Sequence, residues 1–413
     1  MRIAYFLDKF PLISETFVLA QICGAIARGH EVVVYANRLS EDDVQHPSVA
    51  DYDLLNRTVV LPAAPERARD RLRLASGVLK TAKRRGRLGA ALRCLDVFKF
   101  RGDAIRFALL IRSAPMIVEE PFDVLHCQFG QLGVWVQAVR QCGVIHGALV
   151  TSFRGTDAMK IAARNPGRFR QLFEEGERFL AVSHAVERRL IALGCPSDRI
   201  SILRSGVDLD AFSFRGHSPL HDPIRVLTIA RLTPIKGLEY ALHAIRILHE
   251  NGLNIEYRIL GGGPLASELV GLSKALGIGS LVTFEGRVNT HRVREALAAA
   301  DILVAPSITG PEGEQEGLPN SLKEAMATGV PAITTATGGI PELIDDGITG
   351  YFAQEKDAAA IAAKILELVK DWGSVAAVTE RARRRIQSEY DQAKISDELE
   401  QIYRELGPGS ELK

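Results

Sequence analysis

Glu316-Gly317-Leu318-Pro319-Asn320-Ser321-Leu322-Lys323-Glu324 is the stretch from which the rest of the chain can be read. Its two glutamates are separated by seven residues. The first lies in a glycine-bearing loop. The second lies about one turn inside a helix that Pro319 can open and Gly329 can close. The amides of Gly317 and Leu318 then fall at the helix N-terminus, where the dipole and unsatisfied donors favour a phosphate. One carboxylate can accept from sugar hydroxyls and the other from a ribose. An ordinary surface helix explains the same nine residues, so the surroundings decide.

Working outward, short apolar runs alternate with longer helical patterns. In the first half the strand-like runs are 3–7, 31–36, 124–126, 148–152, 179–182 and 200–203. In the second half they are 224–230, 256–260, 281–284, 302–305 and 331–335. Most are continuously apolar, as parallel strands covered on both faces must be. Helical patterns lie between them, among them 238–249, 293–300 and 321–328. The fold expected is α/β, with two doubly wound Rossmann-like domains facing each other across a cleft. The expected division is 1–215, 216–390, and a closing segment 391–413 whose helix crosses back to the first domain. The break is placed in the polar, Gly- and Pro-bearing stretch 212–219.

The chain has 413 residues, 46% of them hydrophobic and 24% charged, with a net charge of +1. That is room for two cores, and no global field draws in nucleic acid. Five scattered cysteines, without C-x-x-C spacing, argue against a zinc site or a disulfide framework. They suit a reducing cytoplasm. The apolar run at the N-terminus is too short for a signal peptide, and no run is long enough to span a bilayer.

One region departs from this even balance. Residues 66–112 carry many Arg and Lys against few acids, interleaved with Leu, Val, Phe and Ile. A basic amphipathic segment of this kind can lie on an anionic membrane face. A solvated helical face accounts for the same pattern. Nucleic acid is disfavoured, because no recognition motif accompanies the charge.

Several loops that follow strands carry chemistry. Arg231 and Lys236 follow the first strand of the second domain and can bind a diphosphate and the charge that develops on it. Gly261 and Gly263 follow the next strand, where glycine allows a flat ligand to approach backbone. Arg287 follows the strand after that. In the first domain, Ser14 reads as an N-cap followed by Glu15 and Thr16. His126, Gln128, Arg154 and Asp157 follow later strands.

Together these segments resemble the GT4 family of retaining GT-B glycosyltransferases, also called glycosyl transferases group 1. The likeness is firmest over 231–350. It rests on the R-x4-K pair, the Gly-rich loop, Ala305-Pro306-Ser307, the E-x7-E block and Gly338-Gly339-Ile340-Pro341-Glu342. Phe10-Pro11-Leu12-Ile13-Ser14-Glu15-Thr16-Phe17 looks like the branch that builds bacterial exopolysaccharides, including colanic-acid and amylovoran types.

The resemblance implies transfer of a sugar from a UDP- or GDP-sugar to a saccharide acceptor, such as a lipid-linked oligosaccharide. Arg231, Lys236 and Glu316 would be catalytic, and Glu324 would hold the ribose. Gly261, Gly263, Arg287, Gly317 and Leu318 would complete donor binding. No cofactor and no metal are expected. Ser14, Glu15, Thr16, His126, Gln128, Arg154 and Asp157 would serve the acceptor or sugar side. Many relatives carry H-x-H where this chain has His126-Cys127-Gln128, and H-G-x-D where it has Arg154-Gly155-Thr156-Asp157. Arg154 cannot act as a base. A sugar-nucleotide 2-epimerase or a non-catalytic nucleotide-sugar-binding protein shares the architecture and stands as the alternative. The expected location is cytoplasmic, peripheral on the inner face of the membrane.

Overall fold

The run Ile3-Ala4-Tyr5-Phe6-Leu7 is at most 1% exposed, the burial of a strand with helices on both faces. In the computed structural model, which describes residues 1–12, 15–41, 46–154, 165–216 and 218–407, it forms the middle of strand β1, Arg2–Phe10. The other strands of its sheet are β2 (Glu31–Leu39), β3 (Thr58–Val60), β4 (Val124–Cys127), β5 (Ala148–Phe153), β6 (Arg178–Ala181) and β7 (Ile200–Ile202). They run in the order 3-2-1-4-5-6-7, and every pairing is parallel.

A second sheet contains β8 (Ile224–Ile229), β9 (Ile255–Leu260), β10 (Val282–Gly286), β11 (Ile302–Ala305), β12 (Ala332–Thr335) and β13 (Tyr351–Ala353). Its order is 10-9-8-11-12-13, again all parallel. In each sheet the first strand is internal. The chain winds outward on one side, then returns to pair the other side of that first strand. Such reversals, between β1 and β4 and between β8 and β11, are where ligands bind in doubly wound sheets.

Alternation along the second sheet shows why its runs are continuously apolar. Val226, Ile302 and Val304 pack with the helices Leu238–Glu250 and Ala358–Lys370. Leu227 and Leu303 point the other way, to Leu322, Met326 and Ile386. Successive side chains therefore feed two separate cores.

The chain divides into two compact units. One comprises Met1–Ala181, Arg189–Ile202 and the residues from Ser396 onward; the other comprises Val182–Arg188 and Leu203–Ile395. Residues 203–215, expected in the first domain, count with the second. Phe212 is in its core, and Arg215 donates to the carbonyls of Ala298 and Ala300. In the first unit, Tyr403 of the closing helix bonds Tyr5 Oη at 2.8 Å.

The basic segment is broken into four helices: Ala68–Arg84, Leu88–Arg93, Val97–Ile105 and Ala108–Arg112. Its first three helices bury small residues (Ala75, Ala82, Ala90, Ala91) and leave large ones out, with Phe98 99% exposed and Ile105 63%, while the fourth buries Leu109, Leu110 and Ile111. No helix among the described residues is long and apolar enough to cross a membrane.

Candidate functional site

In the second unit, the expected donor-side residues gather at the carboxyl ends of the strands. Arg231 and Lys236 lie on the loop after β8, Gly261 and Gly263 after β9, and Arg287 after β10. Glu316, Gly317 and Leu318 follow β11, and the helix Asn320–Thr328 carries Glu324. That helix starts after Pro319 and ends at Gly329, whose φ of 84° makes a left-handed cap.

The loops are pressed backbone to backbone, which explains their glycines. A Cβ on Gly261 would lie 1.9 Å from the Ala230 oxygen, and one on Gly263 2.4 Å from the Leu232 oxygen. The Leu232 amide donates to the Gly262 carbonyl at 3.0 Å, extending the β8–β9 contact past the strands. Gly338, at φ 60°, packs against the Glu316 oxygen, where a Cβ would come within 1.9 Å. The Gly339 amide donates to that same oxygen at 3.1 Å. The Gly338-Gly339 pair thus fixes the backbone that carries Glu316.

The electrostatics are arranged unevenly. Lys236 Nζ donates to Glu316 Oε2 at 2.6 Å, with the two side chains 16% and 12% exposed. The two motifs, R-x4-K and E-x7-E, meet in one ion pair across eighty residues of sequence. Arg231 is exposed, and no carboxylate pairs with it among the described residues. Nor does the Gly317 or the Leu318 amide meet a protein acceptor among them. A cation and two amide donors are left for a ligand, beside a carboxylate already held in place. Burial pushes the Glu324 carboxyl up to about 7, and the neighbouring Lys323 ammonium pulls the other way. Arg287 is exposed, and its stem lies over Gly262.

Sequence reasoning missed several supports. Lys323 reads as a solvent-facing helix residue, yet it is 0% exposed and donates to the Ser205 carbonyl at 2.7 Å. Glu355, after β13, accepts from the Thr309 amide at 2.7 Å and orders the loop leading to Glu316. The Ile308 amide donates to the Ile235 carbonyl at 2.8 Å, joining that loop to the one carrying Lys236. Glu355 lies in no motif, so only the fold could reveal it. Ser205 opens the motif Ser205-Gly206-Val207-Asp208, but its pairing with Lys323 is visible only in the fold.

In the first unit the structure brings His126, Gln128 and Arg154 together. Arg154 donates to Gln128 Oε1 at 3.2 Å, and its guanidinium stacks 3.6 Å from the Phe17 ring. Gln128 donates to Gln21 Oε1 at 2.7 Å. His126 is 0% exposed, with Nδ1 at 2.5 Å from Tyr403 Oη and Nε2 at 2.8 Å from Ser152 Oγ. Burial, helped by the Arg154 charge, drives its pKa down to about 3, so the ring is neutral. This position suits an internal hydrogen-bonding role. The first helix begins at Thr16 with Glu15 as its N-cap. Ser14 and Asp157 lie outside the described residues.

Comparison with known proteins agrees with this geometry. Residues 211–385 match the family model for glycosyl transferases group 1, and residues 14–211 match glycosyltransferase family 4. WcaL of Salmonella typhimurium, named as a colanic acid biosynthesis glycosyltransferase, is 35% identical over 406 residues, which covers 97% of this chain and 98% of WcaL. The amylovoran biosynthesis glycosyltransferase AmsK of Erwinia amylovora is 32% identical over 416 residues, covering 98% of this chain and 100% of AmsK. Among solved structures, Anabaena Alr3699/HepE in complex with UDP and glucose superposes with a TM-score of 0.71 at 16% identity, covering 98% of this chain and 99% of HepE. Two doubly wound parallel sheets and these family matches define a glycosyltransferase of GT-B fold. The chain belongs to the GT4 family, the glycosyl transferases group 1, and within it is similar along its whole length to WcaL and AmsK.

Proposed function

We propose that this glycosyltransferase takes its sugar from a nucleoside-diphosphate donor and builds an exopolysaccharide on a lipid-linked saccharide acceptor. The observation that carries the donor assignment is the Lys236–Glu316 pair beside unpaired Arg231 and the open amides of Gly317 and Leu318. Arg231 and the amides bind the diphosphate, and Lys236 shares its charge between that group and Glu316. As the bond from the anomeric carbon to phosphate lengthens, negative charge grows where these donors point. Glu316 orients the transferred sugar, and Glu324 accepts from the ribose. The acceptor hydroxyl attacks the face from which the diphosphate departs, and the leaving phosphate oxygen takes the hydroxyl proton. The anomeric configuration is then retained, and no metal is required. Gln128 and Arg154 serve the acceptor side.

Two further points extend this reading. The names of WcaL and AmsK place those relatives in colanic acid and amylovoran synthesis, which supports a surface polysaccharide here. The basic segment, with Phe98 and Ile105 exposed among Lys99, Arg101 and Arg106, supports peripheral contact with an anionic membrane face.

The test is a screen of donor hydrolysis and transfer with UDP-glucose, UDP-galactose and GDP-mannose. One donor should turn over, and Lys236→Ala and Glu324→Ala should each lower turnover by roughly 100-fold or more. Unchanged turnover in both variants would contradict the assignment. Inversion at the anomeric carbon would contradict the same-face mechanism alone.

A further inference from the structure

Within the first unit, the helix Ala68–Arg84 does not close completely on its neighbours. It leaves a groove of about 330 Å³ lined by Leu72, Ala75, Leu79, Leu88 and Phe107, with Ser76, Lys80 and Lys83 at its rim. That volume is at the lower end of the roughly 300–1,000 Å³ common to small-molecule sites. The lining is aliphatic and aromatic. The two lysines are exposed, and among the described residues no carboxylate pairs with either ammonium. An apolar trough edged by unpaired cations complements an amphiphile with a hydrocarbon chain and an anionic head.

The groove's position gives a second argument. Phe107, in its wall, directly precedes the helix Ala108–Arg112. Arg112 there donates to Asn37 Oδ1, and its guanidinium lies 4.4 Å from the Trp135 ring. Asn37 in turn donates to Asp8 at 2.8 Å. Asp8 and Asn37 are near the carboxyl ends of β1 and β2. The groove thus adjoins the sheet edge at which an acceptor would be presented. Its neighbours Leu74 and Leu92 are also exposed.

We infer that this groove binds the hydrocarbon chain of a lipid phosphate, the membrane anchor of the acceptor, with Lys80 and Lys83 facing its phosphate. The inference rests on the proposed lipid-linked acceptor and gives it a specific site. It differs from general adhesion to a bilayer, because one chain enters one trough.

The experiment titrates farnesyl phosphate, below its aggregation concentration, into the full-length protein by calorimetry, with farnesol and inorganic phosphate in parallel. Farnesyl phosphate should bind at least about tenfold more tightly than either fragment. Ser76→Trp fills the trough from an exposed position and should weaken binding about tenfold or more. The double variant Lys80→Gln/Lys83→Gln should reduce farnesyl phosphate to the level of farnesol. Hydrolysis of the nucleotide-sugar donor should be unchanged in both variants. No binding by the wild type, or equal binding by wild type and Ser76→Trp, overturns the inference. So does equal capture of both proteins by zwitterionic phosphatidylcholine vesicles with no preference for farnesyl phosphate. Donor hydrolysis that is absent from the wild type defeats the proposed reaction instead, and leaves the groove result standing.

Discussion

Lys236 and Glu316 are mutually dependent, because each neutralises the other in a largely buried place. Removing one partner leaves a charge poorly solvated, which for such pairs costs about 3–5 kcal/mol, whereas replacing both costs far less. Lys236→Met should therefore destabilise the second unit more than the double variant Lys236→Met/Glu316→Gln does, as read by urea unfolding. Additive losses would show that the pair is uncoupled. Glu324 gives a second prediction. Its carboxyl titrates near 7 in the fold against an ordinary 4.5, so the folded state holds the extra proton between those values. Stability from this group is present at acid pH and is lost as pH rises from 4.5 through 7, by on the order of 1–3 kcal/mol. Glu324→Gln should flatten that slope. Donor affinity should run the opposite way, strengthening toward pH 8 as the carboxylate forms, and Lys323→Met should move the midpoint upward. The glutamates and Arg231 were legible because their spacing is local. Lys323 was not, because a helical lysine reads as a solvent residue and its partner Ser205 is 118 positions away.

Among the elements, the loops are more constrained than the helices they join. The Gly338-Gly339 turn lies directly on the Glu316 backbone. Gly338→Ala combines a positive φ with a clash against a carbonyl that cannot retreat alone, since the Gly339 amide holds it too. Turnover should fall by about tenfold or more with the rest of the fold retained; wild-type turnover would show that the turn does not position Glu316. In the basic segment, replacing Lys83, Arg84, Arg85 and Arg87 with Gln should weaken pull-down by anionic vesicles in a salt-sensitive way. Equal behaviour toward neutral and anionic vesicles would make the segment a solvated face. Central strands were plain in the sequence as continuous apolar runs. The edge strands β3 and β13 were not, although β7, equally short, was; β3 is only half covered and lacks a buried run to read. The break-up of the basic segment was also hidden, since its turns at Arg101 and Phe107 use positive φ at residues that seldom adopt it.

At the scale of the whole molecule, the buried groups His126 of the first unit and Glu324 of the second act in opposite directions. His126 is held near 3 inside the first unit against an ordinary 6.5. The unfolded chain binds the extra proton between those values, so the first unit gains stability as pH rises from 3 to 6.5. Over pH 4.5 to 6.5 the second unit loses stability through Glu324 while the first gains it through His126. Hydrogen exchange followed separately in β4 and in the helix Asn320–Thr328 should show these opposing trends. Parallel trends would refute the assignment. The two-sheet plan was readable from repetition, but the unit boundary was not. The stretch 212–219 reads as a linker, polar and bearing Gly and Pro, yet Phe212 and Arg215 within it are anchored in the second unit. What unites the account is a diphosphate bound at the reversal between β8 and β11. Calorimetry with UDP and GDP against uridine and guanosine, on wild type and Arg231→Met, tests it most directly. The account predicts that one diphosphate binds roughly 100-fold more tightly than its nucleoside, and that Arg231→Met removes much of the difference. Equal affinity for diphosphate and nucleoside, or an Arg231→Met variant that binds like the wild type, would contradict it.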